Sequence, residues 1–400
     1  MSDLWKNILL LDVCEINMGQ SPNSSTYNSE RKGLPFFQGK SEFTEKYAQV
    51  RIWCSKPQKI AQEGDVLISV RAPVGISNIA PEKCCIGRGL ASLKSNTQKL
   101  DQNFLWQVIN FHKSYLEGIA QGSTFDAISS KDLSTMPLKL PPLLEQKKIV
   151  SILNSADEVI DFTEKKIDKL KNLKEATINE LLTKGINHKE FKQTALGRIP
   201  EGWDVKPLSK VCEVSSSKRV MQSDYVNEGV PFYRSKEIIL KSKGKTVDSI
   251  LYISEDQFVN LASKFGAPAT GDILVTAVGT IGVCYLVGQE KFYFKDGNLL
   301  WLKNINSLLP SFLSVYLSNK ITRERIIDIS GGSSQSALTI EKLSEFLVPI
   351  PSSYEQEKFS RISNSFDGLI DSQRQKLTQT QSLKKSLMQD LLSGRKRVNI

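Results

Sequence analysis

The sequence predicts an α+β chain in which two mixed α/β domains are separated by two long helices that form an antiparallel coiled coil, built as an internal repeat. Three observations predict it. LPPLLEQKKIVSIL (140–153) returns as IPSSYEQEKFSRIS (350–363), an offset of 210 residues. GDVLISVRAPVGI (64–76) returns as GDILVTAVGTIGV (271–283), an offset of 207. Trp5, Val13, Cys14 and Glu15 are answered by Trp203, Val211, Cys212 and Glu213 at 198. Offsets that grow along the chain mean loops of different length on a shared scaffold, as suits a protein that reads two related but non-identical things.

Residues 1–141 make the first globular part. The run 65–70 reads as a strand and 104–119 as one helix. PFFQGKSE (35–42) is a strand-to-loop passage with polar and basic residues at its tip. QGSTFDAISSKDL (121–133) is a Gly-Ser-rich turn feeding a short helix, whose unpaired N–H groups would seat a phosphate. Residues 142–188 are the central helix. There Ile149, Leu153, Ala156, Ile160, Thr163, Ile167 and Leu170 recur at spacings of three and four, and Gly185 ends the run. Residues 189–351 repeat the first part, with strands at 273–278 and 292–294 and a helix at 309–327. Their loops PFYRSKEI (231–238) and GGSSQSALTIEKL (331–343) match those of the first copy. Residues 352–400 are the second long helix, with Phe359, Phe366, Ile370, Leu377, Leu387 and Leu391 as its stripe and Gly394 at its end.

The proline- and glycine-free stretch 145–182 would span about 57 Å as a helix. The globular part between the helices has an expected radius of gyration of about 15 Å, too small to reach back for a parallel partner. An antiparallel pair solves this, because the first helix then ends where the second begins. Ile152, Val159 and Ile178 exceed what a two-helix seam needs. With Ile362, Leu369 and Leu383 of the second helix, they are expected to receive helices of partner subunits.

Composition narrows the function. Forty per cent hydrophobic and 24% charged residues suit a globular domain protein. No apolar run approaches the roughly 18–20 residues of a membrane span, and the first residues lack a signal-peptide pattern, which predicts a cytoplasmic protein. The six cysteines form no C-x-x-C pair and are expected to be reduced thiols, and with only His112 and His188 no metal site is expected. A net charge of +10 is spread over both globular parts and the second helix, which fits a polyanionic partner. Arg71, Arg88, Lys218 and Arg219 are candidate contacts on charge, since arginine reads guanine and glutamine reads adenine bidentately. GLPFFQGKS (33–41) has five residues between its glycines instead of the four of a phosphate-binding loop, and no other catalytic or dinucleotide motif occurs.

ALGRIPEGWDVKPLSKVCEV (195–214), the following GDILVT, the proline-led E-Q helix start and the closing LMQDLLSGRKRV (387–398) together resemble the DNA-specificity subunits of Type I restriction–modification systems. The resemblance covers essentially the whole chain, although the first half lacks the Gly-x-Ile-Pro lead-in. It implies that 1–141 and 189–351 are target-recognition domains, each reading one half of a bipartite, asymmetric site in double-stranded DNA, and that 142–188 and 352–400 are spacer helices. It places recognition loops at Gln38, Gly39, Lys40, Arg71, Ser123 and Thr124, and at Arg234, Ser235, Lys236, Ser333, Ser334 and Gln335. It implies as partners two adenine-methyltransferase subunits and a restriction endonuclease/translocase. These would bring S-adenosylmethionine, ATP and Mg, while this chain binds no cofactor and is not itself an enzyme. The competing readings are a stand-alone coiled-coil DNA-binding regulator or anti-restriction decoy, and a self-sufficient nuclease or methyltransferase.

Overall fold

The computed structural model describes residues 5–121, 127–331 and 337–398. The chain forms two compact units, 1–164 with 375–400 and 165–374. Both long helices, Leu143–Lys184 and Ser353–Leu392, therefore contribute a half to each unit.

In the first unit a four-stranded antiparallel sheet has the order Cys14–Met18, Leu90–Ser95, Val66–Ser69 and Ser77–Ile79. A second sheet has the order Tyr27–Asn28, Ile52–Cys54, Leu34–Phe37, Cys84–Ile86 and Ile60–Ala61. One main core lies between the first sheet, the helices Gln102–Phe111 and Lys113–Gln121, and Ile149, Leu153, Leu391 and Leu392 of the long helices. A smaller core joins the two sheets through Phe37, Leu67, Cys84 and Leu90. Cys84 and Cys85 point to opposite faces of their strand, into separate clusters, and all six cysteines are free and buried.

The second unit repeats this plan. Its first sheet has the order Glu213–Ser215, Leu299–Lys303, Ile273–Thr276 and Cys284–Leu286. Its second has the order Tyr225–Val226, Leu251–Ile253, Val230–Tyr233 and Tyr293–Phe294. Where the first unit has the short strand Ile60–Ala61 the second has the helix Glu255–Phe265, and where the first has the single turn Lys40–Glu42 the second has the helix Ser235–Ser242. The units thus share the core sheet and differ around the second sheet.

The single helices expected at 104–119 and 309–327 are each two helices. The first breaks at His112, whose ring nitrogen lies 2.9 Å from the Val108 carbonyl. The second breaks at Asn319, which turns to extended backbone between Pro310–Ser318 and Lys320–Ser330. Its side-chain oxygen accepts the N–H groups of Ile321 and Thr322, so one residue both ends a helix and starts the next. Periodicity continues across both breaks, which is why it does not reveal them. Replacing Asn319 by Ala is expected to cost about 1 kcal/mol in the unfolding free energy of the chain, measured by urea titration. A loss below a few tenths of that would show the cap to be dispensable.

The long helices pack antiparallel within each unit. In the first, Glu145 accepts from Arg397 at 2.8 Å, and Asp157 pairs with Lys384. In the second, Lys174 pairs with Asp367 at 2.6 Å, and Glu355 accepts the Ile186 N–H at 3.0 Å. In both series residue numbers rise on one helix as they fall on the other. No helix among the described residues is long and apolar enough to cross a membrane.

The repeated E-Q pair fastens each helix start. Gln146 accepts the Asp101 N–H at 2.7 Å and donates to the carbonyls of Lys99 and Pro141. Gln356 repeats this with the Leu309 N–H at 2.6 Å and the carbonyls of Ser307 and Pro351. Glu145 accepts from the Trp5 indole, from Arg397 and from the Val398 N–H. Glu355 accepts from the Trp203 indole at 3.0 Å, from His188 and from the Ile186 N–H. Each carboxylate thus ties the start of one long helix to the residues that follow the end of the other and to the opening tryptophan of its unit.

Candidate nucleic-acid interface

In the first unit the strand Leu34–Phe37 runs parallel to Cys84–Ile86, so both release their loops at the same edge. The Gly87 N–H donates to the Phe37 carbonyl at 2.8 Å, and the Val70 N–H donates to the Gly89 carbonyl at 2.9 Å. These bonds bring Gln38, Gly39, Lys40, Arg71 and Arg88 together. The approach is close enough to demand glycine, since a Cβ on Gly89 would lie 2.6 Å from the Gln38 carbonyl oxygen. Ser21, which sequence reading did not single out, organises the edge: it accepts from the Gln38 amide at 3.0 Å and from the Arg88 N–H at 3.1 Å. Ion pairs recorded among the described residues include none with Lys40, Arg71 or Arg88, whose side chains are exposed. The backbone bridge from Arg71 to Ala127 brings the end of the Gly-Ser segment to this edge.

The second unit builds the same edge from different side chains. The strand Val230–Tyr233 is parallel to Tyr293–Phe294, and the Lys295 N–H donates to the Tyr233 carbonyl at 2.9 Å. The Ala277 N–H and the Ser235 hydroxyl both donate to the Asn298 carbonyl. Arg234 stands where the first unit has Gln38, and Val278, bridged to Ala337, where it has Arg71. The loops enclose a cleft of about 580 Å³, with Arg219, Tyr225, Arg234, Lys295, Asp296 and Asn298 among its walls. Tyr225, Lys295 and Asn298 are additions to the sequence reading. The available signal was the turn Lys295-Asp296-Gly297-Asn298 at the place of Gly87-Arg88-Gly89.

The remaining candidates divide. Arg219 is largely exposed and paired with Asp296 at 3.2 Å. Lys218 sits over the Phe265 ring at 5.0 Å, and Lys236 is exposed. Ser123, Thr124, Ser333, Ser334 and Gln335 lie outside the described residues. The short helix after each Gly-Ser segment, the expected phosphate seat, begins with a side-chain cap. At Ser130–Ser134 the N–H and hydroxyl of Ser129 donate to the Asp132 carboxylate at 2.7 and 2.6 Å, and these bonds hold its pKa below the ordinary range. At Ile340–Ser344 the Thr339 hydroxyl takes the Lys342 N–H. A cap of this kind satisfies one or two of the four N–H groups that a helix start leaves open.

On the long helices Val159, Leu369 and Leu383 are exposed, Ile152 and Ile362 are half-buried, and Ile178 is 4% exposed. Ile178 therefore belongs to the buried seam and not to a docking surface, because it lies three turns beyond Ile167 on the same face. Leu173, which recurs with Ile152, Val159 and Ile178 in the sequence, is 54% exposed, and Phe162, outside that pattern, is 65% exposed.

Comparison with known proteins follows the same division into two. A family model described as the Type I restriction modification DNA specificity domain matches residues 2–172 and again 200–381. The chain is 46% identical over 169 residues to the putative Type I restriction enzyme MjaX specificity subunit of Methanocaldococcus jannaschii, an alignment covering 42% of this chain and 40% of that protein. It is 23% identical over 401 residues to the MjaVIII specificity subunit of the same organism, covering 98% and 93%. It is 22% identical to the EcoBI specificity subunit of Escherichia coli, covering 98% and 85%. Among solved structures, the Type I S subunit from M. genitalium matches with a TM-score of 0.56 at 16% identity, over 98% of this chain and 97% of that one. A chain from a study of complex assembly and conformational transition in the Type I R-M system matches with a TM-score of 0.66 at 17% identity, over 97% of each.

Proposed function

This chain belongs to the Type I restriction–modification DNA specificity family, and from that premise we propose that the loop edge of each unit reads one half of a bipartite DNA target. The carrying observation is that the two units hold one backbone frame and set different side chains on it: Gln38 against Arg234, Arg71 against Val278. A shared frame docks the same way twice, and different side chains read different base edges. The long helices link the two readers in one chain, and their exposed Val159, Phe162, Leu173, Leu369 and Leu383 are the proposed seats for methyltransferase subunits. In this reading the chain supplies the address. S-adenosylmethionine, ATP and Mg are bound by methyltransferase and endonuclease/translocase partners, and adenine is flipped out of the duplex by the methyltransferase.

Two measurements test the reading. Co-expression with a methyltransferase subunit, followed by genome-wide mapping of methyladenine, should yield one bipartite motif that appears only when this chain is present. A soluble complex without new methylation would favour a regulator or decoy. In binding titrations of that complex over a salt series, Arg71→Ala and Arg88→Ala are each expected to weaken affinity and to reduce the log–log salt slope by about 1 where the side chain meets a phosphate. An unchanged slope in both variants would remove these residues from the backbone contact.

A further inference from the structure

We infer that Arg234 is a guanine-reading fork in the second unit and that Glu237 is its positioning residue, an assignment that rests on the DNA-reading role proposed above. Arg234 is the residue just before the helix Ser235–Ser242, and Glu237 sits in the first turn of that helix. Glu237 is buried, with its side chain 1% exposed, whereas that of Arg234 is 38% exposed at the cleft. The guanidinium donates through Nε to Oε2 at 3.1 Å and through Nη2 to Oε1 at 2.7 Å, and the Arg234 N–H donates to Oε2 at 2.8 Å. The buried carboxylate therefore occupies one edge of the planar group and fixes its plane and direction.

That arrangement leaves a definite donor pattern. A guanidinium carries five N–H groups, and the side-on pair with Glu237 uses one from Nε and one from Nη2. Both hydrogens of Nη1 and the outer hydrogen of Nη2 remain, and the end-on pair matches O6 and N7 of guanine in the major groove. Adenine offers a donor where guanine has O6, so a fork held in this orientation discriminates between them. An unsupported arginine would have to freeze a long side chain on binding, whereas here the carboxylate has already done so. Lys295, Asn298 and Arg219 line the same cleft. The first unit has Gln38 at this frame position, supported by Ser21, and glutamine's amide pairs with adenine in place of guanine.

The test is selection of bound sequences from a random duplex library by the full chain in its methyltransferase complex. Wild type, Arg234→Ala, Arg234→Lys, Glu237→Gln and Gln38→Ala are compared, and thermal melts check that each is folded. The expected result is a bipartite motif with a guanine in one half whose preference falls about 5- to 100-fold in Arg234→Ala. Arg234→Lys keeps the charge but not the fork, and should lose that preference as fully as Arg234→Ala while retaining most affinity. Glu237→Gln should weaken the same position alone, and Gln38→Ala should act on the other half. If Arg234→Lys selects the wild-type motif, or if Arg234→Ala lowers affinity without relaxing a guanine, the residue is a phosphate contact and the inference fails while the DNA-reading role stands. If the wild-type complex selects no motif, the DNA-reading role fails and the inference with it.

Discussion

Phe359→Ala is expected to lower the unfolding free energy of the second unit by about 3–5 kcal/mol. Phe359 is fully buried at the start of the second long helix. Its ring lies 6.0 Å from that of Trp203 and 5.8 Å from that of Phe312, so it joins the helix to the opening tryptophan and to the helix Pro310–Ser318. Truncation removes the ring's transfer energy and leaves a cavity between the two remaining aromatic side chains, Trp203 and Phe312. Urea unfolding, with hydrogen exchange reporting on residues 203–211, measures the effect. A loss under about 1 kcal/mol would mean that the helix start is not held by this core.

Glu355→Ala should follow at about 3–4 kcal/mol, because buried donors left without an acceptor cost roughly 1–3 kcal/mol each. The donors are the Trp203 indole, itself 1% exposed, and the Ile186 N–H. The ordinary carboxyl pKa here is 4.5; burial acts to raise it, but the bonds from Ile186, His188, Trp203 and Ser352 outweigh burial and hold it lower. Its folded pKa is thus below the unfolded value, so the contribution is complete above about pH 4.5 and is lost as pH falls through the folded pKa. The difference in stability between wild type and Glu355→Gln is therefore expected to shrink as pH falls below about 4.5 through the folded pKa of Glu355. A gap that widens on acidification would contradict this sign. Glu145→Ala should produce the corresponding loss in the first unit, through Trp5, Arg397 and Val398.

These carboxylates also show how much of the structure is legible in the sequence. The proline-led E-Q pair is visible as a repeated string, yet its role in joining distant segments is not, because the donors Ile186, His188 and Trp203 lie 152 to 169 residues from Glu355 along the chain. Likewise Asn319 interrupts an unbroken apolar rhythm through a side-chain bond to its own backbone, which periodicity does not record. Gln38, Lys40, Arg71 and Arg88 were legible as polar or basic residues at loop tips. That they share one edge depends on the parallel pairing of Leu34–Phe37 with Cys84–Ile86, strands separated by nearly fifty residues. Ser21 and Asn298 carry no charge and no motif, and only their bonds to those loops bring them into view.

By itself the sequence determined the repeat, the two long helices with their glycine stops, the core strands and the family, since each of these is local or recurs within the chain. Tertiary structure decided the burial and the partners of the marked side chains. It buried Ile178 in the seam, closed the short helix at Ser129 with Asp132, and set Arg234 against Glu237. The physical reason is that periodicity and spacing report which face a residue occupies, whereas burial and hydrogen-bond partnership are set by segments that meet only when the sheets close.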